Sequence, residues 1–557
     1  SQNDGKHLYS TLKHFAAYGI PEAGHNGARA NVGMRQLFSD YLPPFKKAVE
    51  EGVATIMTSY NTIDGVPCTS NKYLLTDVLR DQWGFKGFVY SDLTSIEGIV
   101  GARVAKDNKE AAVLALKAGL DMDLGGNAYG KNLQKALEEG AITMDDLNRA
   151  VANVLRLKFR MGLFENPYVS PEQAKQVVRS KAHKELAREV AREGIVLLKN
   201  EGVLPLKKNI GSIAVIGPNA DMMYNQLGDY TAPQEREEIV TVLDGIRKAV
   251  SPSTKVNYVK GCAIRDITTS NIPAAVEAAR AADAVVLVVG GSSARDFKTK
   301  YIGTGAADVS NDGNQLLSDM DCGEGYDRST LRLLGDQEKL LEAVAATGKP
   351  LVVIYIQGRT LNMNLASEKA QALLTAWYPG EQGGAAIADV LFGDYNPAGR
   401  LPVSVPRSEG QLPLFYSQGK QRAYVEEEGT PLYAFGYGLS YTKFDYSQLE
   451  LQKGNGKDVL QTVSCTVTNT GDCDGEEVVQ LYICDKVASV SQSPILLKAF
   501  ERISLKKGES KKVTFTLGEE ELSLYNMEMK QVVEPGDFKV MVGAASDDIR
   551  LEGEFTL

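Results

Sequence analysis

Val53-Ala-Thr-Ile-Met57 is an apolar run that passes into polar Thr58-Ser-Tyr-Asn61, and Gly87-Phe-Val-Tyr90 passes in the same way into Ser91-Asp92. A helical pattern near Lys72–Asp81 separates the two runs. A helix is expected over Val32–Glu51 before the first run. Another is expected over Asn108–Ala118 after the second, leading into Gly119-Leu-Asp-Met-Asp-Leu124. Helices alternating with short apolar runs are the pattern of a parallel sheet covered by helices. The polar strand ends are where α/β barrels carry their chemistry. Counting Leu12–Ala16, about four such units are present, whereas a (β/α)8 barrel needs eight over about 250 residues. Residues 1–161 are therefore expected to form the C-terminal half of a barrel whose first half is missing from this chain.

Outward from that region the rhythm changes twice. Residues 162–182 read as a linker, with Gly162, Asn166-Pro167 and Ser170-Pro171 as breakers. From 183 to 407, the helix His183–Glu193 precedes strands at Ile213–Ile216, Ala284–Val289, Leu351–Ile356 and Ala372–Ala376, an α/β sandwich. A long polar segment, 291–328, interrupts it, and a loop of that length within a compact domain is usually functional or disordered. Residues 408–440 read as a connecting segment. From 441 to 557, Val463–Val467, Val478–Ile483, Lys511–Leu517 and Asp537–Val542 are strand-like. Turn signals at Asn469-Thr-Gly471 and Lys507-Gly508 separate them, which indicates a β-sandwich.

Composition narrows the function classes. With 557 residues the chain exceeds one hydrophobic core, and three or four domains are expected. The net charge of -10 argues against a nucleic-acid or anionic-membrane partner and suits a neutral substrate such as a sugar. No apolar run approaches the roughly 20 residues of a membrane helix. Cys68, Cys262, Cys322, Cys465, Cys473 and Cys484 form no CxxC pair, so zinc ligation is not expected. Cys465, Cys473 and Cys484 are near enough in sequence for a disulfide, but free buried thiols are the expectation. With four histidines, a His-rich metal site is not expected either. Gly290-Gly291 lacks a following GKS or GKT, so no phosphate loop is read there. No cofactor is expected. No signal peptide is visible, and Ser1 opens in what reads as mid-domain sequence.

Four ordered segments resemble glycoside hydrolase family 3. They are Lys13-His-Phe-Ala-Ala-Tyr-Gly19, Asn71–Arg80 followed by Trp83–Asp92, Gly393–Pro402, and Phe435–Tyr441. The resemblance implies a barrel, an α/β sandwich and a fibronectin type III-like sandwich at 441–557. The whole is then a multidomain α/β chain. It implies a retaining exo-acting β-glucosidase or β-xylosidase, periplasmic or secreted. The expected substrate is a small oligosaccharide or aryl glycoside. The missing half-barrel segment is the expected protein partner, with a second copy of the chain as a further candidate. Ala16-Ala17 stands where hexosaminidase members carry Pro-Gly, which argues against that activity. The competing class is a non-catalytic carbohydrate-binding or degenerate member.

A retaining glycosidase needs two carboxyl groups, one as nucleophile and one as acid/base. Asp92, after an apolar strand, takes the first role in the resemblance; its bland alternative is a helix N-cap. Glu324, between two glycines in Asp321-Cys-Gly-Glu-Gly-Tyr-Asp-Arg328, takes the second, with Asp319, Asp321 and Asp327 as rivals. Lys13 and His14 resemble sugar-binding residues, and Met57 and Tyr60 resemble residues of the pocket wall. Tyr60 is also a candidate hydrogen-bond partner for the nucleophile, while Met57 reads equally well as core. Leu93 stands where many members have Trp after the nucleophile, so aglycone recognition differs. Ala23-Gly24-His25-Asn26 replaces a Gly-Gly-Arg, leaving His25 and Arg29 as candidates for the sugar contact of that Arg.

Overall fold

The computed structural model describes residues 8–294 and 319–557. They fall into two compact units, one ending at Ala174 and the other beginning at Lys175. That division lies within 162–182, but the segment is not a plain linker. Pro171–Val177 is helical, and the next helix starts at Lys181, where the Ser180 side chain accepts the His183 N–H. Proline near a helix start and serine at its cap are ordinary helix signals, so the segment expected as a linker is partly helical.

In the first unit, β1 (Thr11–Phe15), β2 (Thr55–Thr58) and β3 (Phe88–Tyr90) form a parallel sheet in that order. Ile56 and Val89 are fully buried in it. The fourth expected strand, Gly119–Leu124, contributes only a single parallel bridge from Met122 to Tyr90. The cause is Asp121, whose carboxylate accepts the Val89 N–H at 2.9 Å, a bond a strand would take with a carbonyl. Arg80 at 2.5 Å, Arg149 at 3.1 Å and Asn153 at 3.0 Å also reach Asp121, whose side chain is wholly buried. The single helix expected over Val32–Glu51 is broken into Met34–Gln36, a wide π-type turn at Leu37–Tyr41, and Pro43–Glu50. Pro43 and Pro44 have no N–H to continue the earlier turn, so a new helix begins at them.

The second unit holds a six-stranded sheet. Its strands are β4 (Val196–Asn200), β5 (Ser212–Ile216), β6 (Lys255–Val259), β7 (Ala284–Gly290), β8 (Leu351–Ile356) and β9 (Ala372–Trp377). Their order is β4-β9-β8-β7-β5-β6, parallel throughout except for β4 against β9. All of β7 and β8 is buried, which is why both read as unbroken apolar runs. The sequence pattern missed the two edge strands β4 and β6. The chain steps from β5 outward to β6, then returns across β5 to β7. The C-terminal ends of β5 and β7 therefore flank a topological switch point, the place where open α/β sheets bind ligands.

The β-sandwich packs β10 (Phe444–Lys453), β11 (Gln461–Asn469) and β14 (Ser510–Leu517) against a second sheet. That sheet is β13 (Leu496–Leu505), β12 (Gly475–Asp485), β15 (Asp537–Ala545) and β16 (Asp548–Thr556), each set in hydrogen-bonded order. Val463, Leu481, Phe515 and Phe538 lie in the shared core. The segment 408–440 does more than connect, since Leu439 bridges to Leu197 of β4 and Tyr433 to Val405. The two later family-like motifs meet here. Asn396 Oδ1 accepts Ser440 Oγ at 2.9 Å and the Tyr441 N–H at 2.7 Å, and Arg400 pairs with Glu477 of β12 at 3.1 Å. Their role is to join the α/β layer to the sandwich. All six cysteines are free, but Cys473 is exposed and Cys484 half-buried, against the expectation of buried thiols.

Candidate active site

Parallel pairing sets Phe15 beside Thr58 and Met57 beside Tyr90, so the ends of β1, β2 and β3 line up. Asp92 follows β3 and is 7% exposed. Its Oδ1 accepts the Leu93 N–H at 2.8 Å, and its Oδ2 faces His14 Nε2 at 3.4 Å. The helix-cap alternative does not fit. The following helix is Ser95–Gly101 with Thr94 at its cap, and Asp92 meets Ser95 only through its carbonyl. The loop beyond Asp92 is tied down by the Leu124 N–H to Ser91 Oγ at 2.8 Å and by the Thr94 N–H to the Leu124 carbonyl.

His14 connects Asp92 to an aromatic cluster. Its ring lies 4.8 Å from that of Tyr18, which lies 6.2 Å from that of Tyr60. Burial, and then the charge of Lys13, hold the His14 imidazole below its ordinary range, against the opposing pull of Asp92. A neutral imidazole here has one N–H to donate and one nitrogen to accept with, which suits a sugar hydroxyl. Lys13 is exposed, while Met57, Tyr60 and Leu93 are half-buried. Tyr18 received no role in the sequence reading, although it lies inside the Lys13–Gly19 motif.

Arg29 is paired within its own loop. It is 68% exposed, with Nε 2.9 Å from Glu22 Oε2, and its carbonyl accepts the Glu22 N–H. It closes its own loop. His25, on the same loop, is exposed, and its carbonyl accepts the Ala28 N–H.

In the second unit, Glu324 stands at the tip of a tight turn closed by the Tyr326 N–H to the Gly323 carbonyl at 3.0 Å. Gly325, at φ 76°, occupies the left-handed region that glycine enters without steric cost. The chain into this turn leaves the switch point at Gly290-Gly291-Ser292, and its stretch 295–318 lies outside the described residues. The long polar segment 291–328, expected to be functional or disordered, falls largely on that stretch. The Tyr230 hydroxyl donates to Glu324 Oε2, and the Glu324 N–H points to Asp229 Oδ2 at 3.4 Å. Tyr230 is 94 residues away in sequence and left no signal to find it by.

Two rival carboxylates are engaged in structural bonds. Asp319 accepts the N–H groups of Ile264, Arg265 and Asp266 at 2.7, 2.8 and 3.2 Å. Asp321 accepts the Ser292 N–H at 2.6 Å and pairs with Arg328. Asp327 is exposed. Among the described residues no group of three or more His, Cys, Asp or Glu is placed to hold a metal ion.

Three family models match the chain. The glycosyl hydrolase family 3 N-terminal domain matches residues 2–157, the C-terminal domain of that family 195–441, and a fibronectin type III-like domain 477–546. The first match does not support the expectation that this domain lacks its first half. A periplasmic beta-glucosidase of Salmonella typhimurium is 39% identical, over 100% of this chain and 74% of its own length. A beta-xylosidase of Formosa agariphila is 40% identical, over 99% and 76%. Among solved structures, a beta-glucosidase from Listeria innocua in complex with glucose superposes with a TM-score of 0.88 at 32% identity, covering 99% of this chain and 74% of that one. A β-glucosidase from Erythrobacter marinus gives 0.90 at 37%, with the same coverage.

Proposed function

The chain belongs to glycosyl hydrolase family 3, and from that premise we propose that it is a retaining exo-β-glycosidase. Its substrates are terminal, non-reducing β-linked glucose or xylose residues of small oligosaccharides or aryl glycosides. The observation that carries the reading is Asp92, a buried carboxylate at the end of a parallel strand with His14 at 3.4 Å. In this reading Asp92 attacks the anomeric carbon while Glu324 gives its proton to the departing oxygen. Glu324 then takes a proton from water, which displaces Asp92 from the glycosyl ester. Two displacements at one carbon restore its configuration. His14 and Lys13 hold sugar hydroxyls, Met57 and Tyr60 flank the ring, and Leu93 leaves the aglycone without an indole platform.

The names of the Salmonella and Formosa relatives support glucose or xylose, and the former supports a periplasmic or secreted setting. The test is sugar release from p-nitrophenyl β-glucoside and β-xyloside by the complete protein, with NMR of the first product. The β-anomer should appear first, and Asp92→Asn should slow turnover by roughly 10⁴-fold or more. An α-anomer as first product would remove the retaining mechanism. No release from any glycoside would favour the non-catalytic carbohydrate-binding reading.

A further inference from the structure

Both legs of the Glu324 turn are tied to one buried ion pair. On the incoming leg, the Asp321 N–H donates to the Ser292 carbonyl at 2.8 Å, and the Asp321 carboxylate accepts the Ser292 N–H at 2.6 Å. Ser292 itself is 1% exposed and follows β7 at the switch point. Its hydroxyl donates to Asn225 Oδ1 at 2.6 Å, and the Asn225 amide donates to Asn219 Oδ1 at 2.6 Å. Asn219, just beyond β5, donates in turn to the Gly291 carbonyl at 3.1 Å. The ends of β5 and β7 are thus linked through side chains to the incoming leg. On the outgoing leg, Arg328 donates through Nη1 to Asp321 Oδ2 and through Nη2 to the Arg332 carbonyl. The Arg328 and Asp321 side chains are 4% and 1% exposed.

We propose that the Asp321–Arg328 pair is the positioning device of Glu324, setting where its carboxyl stands for proton transfer; this rests on the acid/base reading above. Buried ion pairs recover their desolvation cost only with good geometry and satisfied hydrogen bonds, so they select one arrangement more than they add stability. Here the two members flank the turn, one on each leg, and the pair fixes the distance between the legs. A misplacement of about 1 Å can cost a catalytic group about 10²-fold. Asp321 and Arg328 touch no reacting atom in this scheme and act only through Glu324. Tyr230 and Asp229 hold the tip from the opposite loop, so the clamp sets the base of the turn and they set its end.

The experiment compares a phenyl glycoside with a 2,4-dinitrophenyl glycoside of the same sugar, using Asp321→Asn, Arg328→Lys and Glu324→Gln in the complete protein. The poor phenolic leaving group needs a proton and the dinitrophenolate does not. Asp321→Asn is expected to lower kcat/KM for the phenyl glycoside by about 10²-fold and to change kcat/KM for the dinitrophenyl glycoside by less than about threefold. Arg328→Lys, which keeps the charge and loses the two-armed grip, should show the same selectivity more weakly. It carries the test if Asp321→Asn does not fold. Equal losses on both substrates would mean a general structural role and overturn the proposal; so would no loss on either. Glu324→Gln separates this failure from failure of the premise. If it is selective and the clamp variants are not, positioning alone is wrong. If Glu324→Gln shows no selectivity, the acid/base reading falls and takes the positioning role with it.

Discussion

Asp92 and Glu324 are held by different physical means. Asp92 follows a parallel strand whose backbone ladder fixes its start, and the strand is anchored behind by the buried carboxylate of Asp121. Glu324 rides on a four-residue turn that, among the described residues, joins no sheet; side-chain bonds and the Asp321 N–H to the Ser292 carbonyl place it. A backbone ladder leaves little freedom to a group that must approach a carbon along one line. Side-chain bonds can be adjusted one at a time, which suits a group that serves first as acid and then as base. Changes near Asp121 should therefore be felt as lost stability, and a change of Glu324 itself as lost chemistry in a folded protein.

The largest effect that tests this contrast is Glu324→Ala. Turnover of a disaccharide should fall by about 10²- to 10⁴-fold, the usual worth of a positioned general acid. An activated aryl glycoside should still esterify Asp92, after which the ester should accumulate because no base activates water. Azide should release it as a β-glycosyl azide. The unfolding midpoint should not move, because the turn contributes little to the sheet. Azide rescue of Asp327→Ala in place of Glu324→Ala would move the role to Asp327. A large loss of stability in Glu324→Ala would dissolve the contrast between the two regions.

Asp121→Asn is the converse test. Arg80 and Arg149 would lose their counter-charge while Arg80 stays largely buried. Removing one member of such a set costs about 3–5 kcal/mol, less where Arg149 is open to solvent. The first urea transition, or hydrogen exchange of the Val89 amide, should report it. An unchanged transition would mean that the ladder alone fixes β3 and that the Asp121 cluster is incidental.

These particulars also show what was legible in the sequence. The central strands β7 and β8 were visible because both their faces are buried and their sequence is uniformly apolar. The edges β4 and β6 were not, since β4 is fully buried only over Val196–Leu198 and β6 has no fully buried residue, which leaves neither a long apolar run. Gly119–Leu124 looked like a strand because its alternation is real, but the Asp121 carboxylate takes the bond a strand would make. Asp92 was named from the family resemblance together with its place after an apolar run, and Glu324 from the resemblance together with its flanking glycines. Tyr230 and the Ser292–Asn225–Asn219 chain depend on contacts between distant segments, which no local pattern records. Arg29 was named as a candidate for the sugar contact of the family's Arg, and its ion pair with Glu22 is again a contact that no local pattern records.

The smallest effect concerns the charge state of His14. Burial and Lys13 lower its folded-state value below the ordinary 6.5, against the attraction of Asp92. Between the folded value and about 6.5, the unfolded chain binds a proton that the folded chain does not. The stability tied to neutral His14 is therefore fully present above about pH 6.5 and is lost as pH falls through the lower, folded value. Urea midpoints measured from about pH 7.5 downward should show this slope before the carboxylates, which titrate nearer pH 4, begin to contribute. His14→Gln has no proton to gain and should lack that part of the slope while keeping the carboxylate part. Parallel slopes in the two proteins would mean that His14 is not held neutral beside Asp92. A slope of opposite sign, with stability rising as pH falls through this range, would mean that the attraction of Asp92 outweighs burial and that the strand-end site carries a charged imidazole.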